Sequence, residues 1–206
     1  MSFTISAPPS TDIWRKPPST NRFNAPTQSL LSSGPVPLKS FNRVRLSFSA
    51  NWTTRYDQGG ILLHLTKGEG SPASESDRWI KTGIEFYMGK PYISTVATLT
   101  FSDWSIYPTI TSSASTTGDK TTTIELRREK DELGSSLWVY EIVLDIDGNE
   151  VERKPLREIT WFFAEEDGWF VDVRAMAARP ADEGSVIGKE KNLLVQFEGA
   201  QVDVDV

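Results

Sequence analysis

Residues 43–52 constrain this chain more than any other stretch. Val44, Leu46, Phe48, Ala50 and Trp52 alternate with Arg43, Arg45, Ser47, Ser49 and Asn51. A period of two puts every apolar side chain on one side of an extended strand. The same period returns at Ile61, Leu63 and Leu65. It returns again over 78–88, where Arg78, Ile80, Thr82, Ile84, Phe86 and Met88 oppose Trp79, Lys81, Gly83, Glu85 and Tyr87. Gly89-Lys90-Pro91 turns the chain into a strand over 92–101. Strands over 120–128, 136–146, Trp161–Phe163, Trp169–Ala177 and Leu193–Val206 complete the set, with a hairpin turn at Asp147-Gly148. No stretch carries a helical period. The charged segments 127–134 and 150–158 read as loops or strand ends, because Pro155 and the flanking strands disfavour a helix. Gly68–Asp77 and Ser112–Thr123 read as solvated loops. Short strands between turn signals predict an all-β sandwich or barrel.

The first 37 residues are different. They hold seven of the 12 prolines, and proline fixes φ and removes a backbone donor, so neither a long helix nor a central strand fits there. Phe3, Ile5, Ile13, Trp14, Phe23, Leu30 and Leu31 are too apolar for a free tail. The expected organisation is a proline-rich arm over 1–37 docked on a single domain over 38–206.

Composition excludes several functions. With 22 Lys and Arg against 28 Asp and Glu, the net charge is −6. That balance argues against binding nucleic acid or an anionic membrane, both of which need clustered positive charge. Without cysteine there is no thiolate site or disulfide, and one histidine, His64, cannot build a His-rich zinc site. No clear Asp-rich loop suggests Ca²⁺, so neither metal nor cofactor is expected. The N-terminus lacks a basic and then apolar leader, and no run approaches the roughly 18 apolar residues of a membrane span. A cytoplasmic protein is the expectation, which makes the Asn51-Trp52-Thr53 sequon accidental.

Trp79–Tyr87 is the most informative segment for chemistry. Trp79, Lys81, Glu85 and Tyr87 share the face turned away from the core, and Gly83 leaves a gap between Lys81 and Glu85 that a ligand or a backbone can approach. A ring beside a cation and a carboxylate suits a sugar, whose C–H face stacks while its hydroxyls bond. The plainer reading is an exposed face with a Lys–Glu pair and a Trp covered by the arm. Tyr56, Asp57 and Gln58 precede the Ile61 strand, and Ser102-Asp103-Trp104-Ser105 forms an aromatic polar loop. For an enzyme, Glu85 is the first candidate acid or base, with Asp57 or Glu141 as the second carboxylate. His64 reads as a packed side chain rather than a catalyst.

These segments occur in a recognisable order: WRKPP (14–18), YDQGG (56–60), WIKTGIE (79–85), STVATLTFSDWS (94–105), DIDG (145–148), WFVDVRAMAARP (169–180) and VQFEGAQVDV (195–204). Together they resemble the fungal "regulation of enolase protein" group, within a larger family of concanavalin A-like domains of unknown function. The resemblance implies a jelly-roll β-sandwich of the lectin/glucanase type with ligand on a concave sheet. It also implies a cytosolic protein linked by name to enolase and sugar metabolism. It transfers no catalytic motif. Where bacterial members commonly carry Cys-Ser-Pro, this chain has Ala178-Arg179-Pro180.

Three functions follow as expectations. The first is a lectin-like protein that binds a carbohydrate or sugar derivative. Trp79, Trp104 and Tyr56 would stack, and Asp57, Gln58, Lys81, Glu85 and Arg127 would make polar contacts. The second is a non-enzymatic regulator binding a metabolic enzyme such as enolase. The third is a glycoside-cleaving enzyme using Glu85.

Overall fold

Fifteen strands follow one another along the chain: β1 (Ser2–Ala7), β2 (Ile13–Lys16), β3 (Thr20–Phe23), β4 (Thr27–Ser29), β5 (Val36–Pro37), β6 (Phe41–Ala50), β7 (Gln58–Lys67), β8 (Arg78–Tyr87), β9 (Lys90–Thr98), β10 (Ser102–Pro108), β11 (Thr122–Asp131), β12 (Gly134–Leu144), β13 (Glu150–Ile159), β14 (Trp169–Ala178) and β15 (Leu193–Val204). The structure is a computed structural model and describes residues 2–68, 76–109, 121–182 and 191–205. Most of the loops expected at Gly68–Asp77 and Ser112–Thr123 therefore lies outside the described residues. Among the described residues the sole helical element is a 3₁₀ turn at Leu38–Ser40, and no helix is long and apolar enough to cross a membrane.

Two antiparallel sheets face each other in a jelly-roll sandwich. One runs β1-β15-β6-β11-β12-β13. The other runs β10-β9-β8-β7-β14-β4, with β5 also paired to β14. The period-two pattern explains the core between them. Val44, Leu46, Phe48, Ile124, Leu126, Leu137, Val139, Val195 and Phe197 point inward from the first sheet. Ile61, Leu63, Leu65, Ile80, Ile84, Val171, Val173 and Ala175 meet them from the second.

The first 37 residues are woven into the body. β1 adds an edge strand to the first sheet, where Phe3 stacks on Phe197 at 5.2 Å. β4 and β5 extend the second sheet. Between them β2 and β3 form a separate two-stranded hairpin. The hairpin lies on the outer face of the second sheet, where Ile13 packs with Leu62, Trp79, Met176 and Ala178. Strand β7 is buried at every position except Lys67: one face meets the core, and Leu62 and His64 on the other meet the hairpin.

Three expectations are corrected. Trp161–Phe163 is a turn, not a strand; its aromatic run closes one end of the sandwich, with Phe162 edge-on to Phe41 and Phe163. Ser102–Ser105 is no loop but the start of edge strand β10, paired with β9. Residues 150–159 form a full edge strand despite their charge, because an edge strand faces water on more than one side. Pro155 fits there because the β12–β13 register shifts at Val139/Tyr140, skipping Leu156, the irregularity at which a strand tolerates proline.

Gly60 and Gly83 sit opposite each other on β7 and β8. A Cβ on Gly83 would lie 2.1 Å from the Gly59 carbonyl oxygen, and one on Gly60 equally close to that of Thr82. Backbone cannot yield as a flexible side-chain tip can. Gly83→Ala should therefore cost at least about 1–3 kcal/mol, measured by urea unfolding; a loss below about 0.5 kcal/mol would show that the strands can part freely.

Candidate functional site

The second sheet is ruled in rows by its register. Arg174, Leu62, Lys81, Val96 and Trp104 form one row. Met176, Gly60, Gly83, Ser94 and Ile106 form the next, and Ala178, Gln58, Glu85, Tyr92 and Pro108 the one after. All project on the face turned away from the core. The glycine row is therefore a groove between Lys81 and Glu85, with a recess of about 10 Å³ lined by Gln58, Lys81, Gly83, Glu85 and Ser94, room for a single water.

Above this floor lies a cavity of about 270 Å³. Gln58, Lys81, Glu85, Val96, Trp104 and Tyr56 line it from the sheet side; Asp12, Trp14, Lys16 and Pro180 close the rest. Tyr56 stacks on Tyr87 at 5.6 Å, and Tyr87 meets Trp104 edge-on at 5.4 Å, so the aromatic wall is braced from behind.

The polar floor is organised by hydrogen bonds. Lys81 Nζ donates to Gln58 Oε1 at 2.8 Å and Asp12 Oδ1 at 3.1 Å. The Trp104 indole N–H donates to Ser94 Oγ at 3.0 Å, and the Ser94 hydroxyl donates to Glu85 Oε2 at 2.8 Å. Burial pushes the Glu85 carboxyl above the usual carboxylate range, against the pull of Lys81, Ser94 and Trp104 and with help from the charge on Asp12. The cavity thus offers donors, acceptors and a carboxyl that holds its proton more readily than a surface one. Among the described residues no group of three His, Asp or Glu could hold a metal.

Of the residues singled out in the sequence, Tyr56, Gln58, Lys81, Glu85 and Trp104 meet in this cavity. Four others do not. Asp57 is completely buried; Arg179 grips both its oxygens at 2.7 and 2.8 Å, and the amides of Thr53 and Thr54 donate to it. Its role is to anchor the β14 end to the loop before β7, and its full burial keeps it from the cavity. Trp79 is 1% exposed, with Phe23 edge-on at 5.4 Å and the Arg15 guanidinium 4.5 Å from its ring centre. The hairpin covers it. Arg127 belongs to the opposite sheet, beside Glu125 and Glu129. Glu141 is on β12 of that same sheet, paired across from Ile124. Neither Asp57 nor Glu141 can therefore flank one bond with Glu85.

Arg127 has a structural setting. Arg43, Arg45 and Arg153 also converge on the fully buried Glu125. Burial alone would raise that carboxyl; the hydrogen bonds from Arg153 and Arg45 outweigh it and hold Glu125 below the usual range. His64 is likewise structural. Its Nε2 meets Asp77 Oδ2 at 2.9 Å under the Phe23 ring, and burial lowers its pKa despite that partner.

The residues that sequence reasoning missed are Asp12, Trp14, Lys16, Val96 and Pro180. Trp14 and Lys16 stand in the conspicuous WRKPP segment, but nothing in the alternation of strands says where a hairpin of four-residue strands will land.

Two outcomes test these assignments. Asp57→Ala strands Arg179 as a buried charge and should cost about 3–5 kcal/mol, read from chemical denaturation; a near-neutral variant would show the pair to be dispensable. Because the folded pKa of Glu85 is raised, the native state binds its proton more tightly than the unfolded chain. Its contribution is fully present below the unfolded carboxyl value and is lost as pH rises through the raised folded value. Glu85→Gln removes that dependence, so the stability of wild type relative to the variant should fall as pH rises from 4 to 7. A constant difference would mean that Glu85 titrates normally.

Comparison with known proteins fits this architecture. An uncharacterized protein of Emericella nidulans is 43% identical over 202 residues, covering 98% of this chain and 86% of its own length. A functionally unknown protein from Saccharomyces cerevisiae superposes with a TM-score of 0.63 at 18% identity, covering 100% of this chain and 89% of that one; at that identity the likeness is one of fold. A glycoside hydrolase family protein from Mycobacterium thermorestibile reaches only 0.45 at 12% identity, over 96% and 75% of the two chains, too distant to bear on activity. Nothing in these likenesses supports the enolase connection. A family model matches residues 1–199, hairpin and both sheets included, and the chain belongs to that family, described as Protein of unknown function (DUF1349).

Proposed function

We propose that the concave cleft binds a sugar or sugar derivative, as a lectin-like protein would. The observation that carries this reading is the cavity itself: the rings of Trp14, Tyr56 and Trp104 stand around a floor of Gln58, Lys81 and Glu85. Rings cover the C–H face of a sugar while fixed donors and acceptors take its hydroxyls. The volume lies just below the range of about 300–1,000 Å³ usual for ligand pockets, which suits one sugar ring rather than a chain.

The reading as a regulator that docks on an enzyme such as enolase through the arm has less support. Ile13 is fully buried, Phe23 packs beside Trp79, and Leu30 and Leu31 pack against the core. The arm's apolar side chains are spent on its own body.

A thermal-shift screen with mono- and oligosaccharides and sugar phosphates tests the proposal. A ligand at a hundred times its Kd stabilises the folded state by about 2.7 kcal/mol. Trp104 is half-buried on an edge strand, so Trp104→Ala should fold and lose the shift. A shift that survives in Trp104→Ala would place the sugar elsewhere, and no shift with any sugar would end the reading.

A further inference from the structure

We propose that the cleft also hydrolyses a glycosidic bond, with Glu85 as proton donor to the leaving oxygen and Asp12 of the hairpin as the base that activates water. The proposal rests on the cleft being a sugar site and adds chemistry to it. Asp12, not Asp57 or Glu141, is the carboxylate that shares the cavity with Glu85.

Acid and base hydrolysis needs two carboxyls in contrasting surroundings. Glu85 is 6% exposed on the sheet floor and is bonded by the Ser94 hydroxyl. Asp12 Oδ1 accepts from the Lys81 ammonium and from the amide of Ile13 at 2.8 Å. Both of those partners are donors, an arrangement for a proton acceptor. Lys81 Nζ bonds both Asp12 and Gln58, and Gln58 is the cross-strand neighbour of Glu85. The ammonium therefore ties Asp12 to the sheet floor beside Glu85, and the cavity of about 270 Å³ that both carboxyls line has room for a sugar ring and a water. The charged groups around Glu85 are Lys81 from β8 and Asp12 and Lys16 from the hairpin; Gln58 of β7, Ser94 of β9 and Trp104 of β10 are neutral.

The step balances with water as the sole co-reactant. A water proton passes to Asp12 as its oxygen bonds to the anomeric carbon. The bond from that carbon to the leaving oxygen breaks, its electron pair stays on the oxygen, and Glu85 supplies the proton. The products are an alcohol and a sugar of inverted configuration. Glu85 regains its proton, and Asp12 loses one, through solvent.

The test uses 4-nitrophenyl and methyl α- and β-hexopyranosides and hexuronides with the full chain. Wild type should release 4-nitrophenol with a bell-shaped pH profile. Asp12→Asn should lower the rate at least 100-fold on both substrate types. Glu85→Gln should lose at least 100-fold on methyl glycosides but much less on nitrophenyl ones, whose leaving group needs no proton, while its sugar-induced thermal shift persists. Should Asp12→Asn fail to fold with Lys81 left unpaired, the Glu85→Gln contrast decides alone. A sugar-induced shift without hydrolysis by wild type overturns the proposal and leaves the binding site standing. Unchanged methyl-glycoside hydrolysis in Glu85→Gln overturns it too. Absence of both shift and hydrolysis removes the binding site with it.

Discussion

The outer face of the second sheet cannot be left to water. Leu62, Trp79 and Met176 form an apolar strip there, and covering each such side chain is worth about 1.5–3 kcal/mol. The β2–β3 hairpin is the cover, and it brings Ile13 to full burial and Phe23 to the edge of Trp79. Much else follows from that contact. Once seated, the hairpin covers the strip from Trp79 through Leu62 to Ala178 and leaves part of that face open. The open part, at Gln58, Glu85 and Trp104, becomes a cavity closed by the hairpin together with Pro180. The site is thus a product of incomplete cover, and the strand pair that shields the sheet also supplies Asp12, Trp14 and Lys16.

Buried charge is handled in a recurring way among the described residues: several buried ions take a partner from a distant part of the chain. Asp57 takes Arg179, Lys81 takes Asp12, and Glu125 takes arginines from β6 and β13. Such pairs stabilise little compared with apolar replacements, and breaking one is expensive. Their effect is to specify. The Lys81–Asp12 bond fixes where the hairpin sits over the floor, so the position of the cavity wall depends on a charge contact as much as on the apolar strip. The facing glycines at 60 and 83 supply the complementary constraint, keeping the groove between Lys81 and Glu85 free of side chains.

Strand positions were legible because the period of two records which face of each strand meets the core, and that record needs no knowledge of neighbours. The alternation at 78–88 correctly separated Ile80 and Ile84 from Trp79, Lys81 and Glu85. It could not separate Trp79 from Lys81, since both lie on the same face and only the hairpin's landing point makes one a covered core residue and the other a cavity floor. Asp57 and Gln58 are adjacent in sequence, yet one is sealed by Arg179 and the other bonds Lys81. The segments 102–108 and 150–159 were obscure for a related reason. Edge strands need no continuous apolar face, so their sequences look like loops.

What the sequence by itself determined is the all-β class, the faces of the inner strands, the fact that the apolar arm had to dock, and five of the residues that line the cleft. These follow from local rules of spacing, proline geometry and burial. Only the tertiary structure decided where the arm lies, which carboxylate joins Glu85, and which aromatics stay accessible. Those outcomes depend on contacts such as Lys81 with Asp12, 69 residues apart along the chain, and no local pattern encodes a meeting at that range.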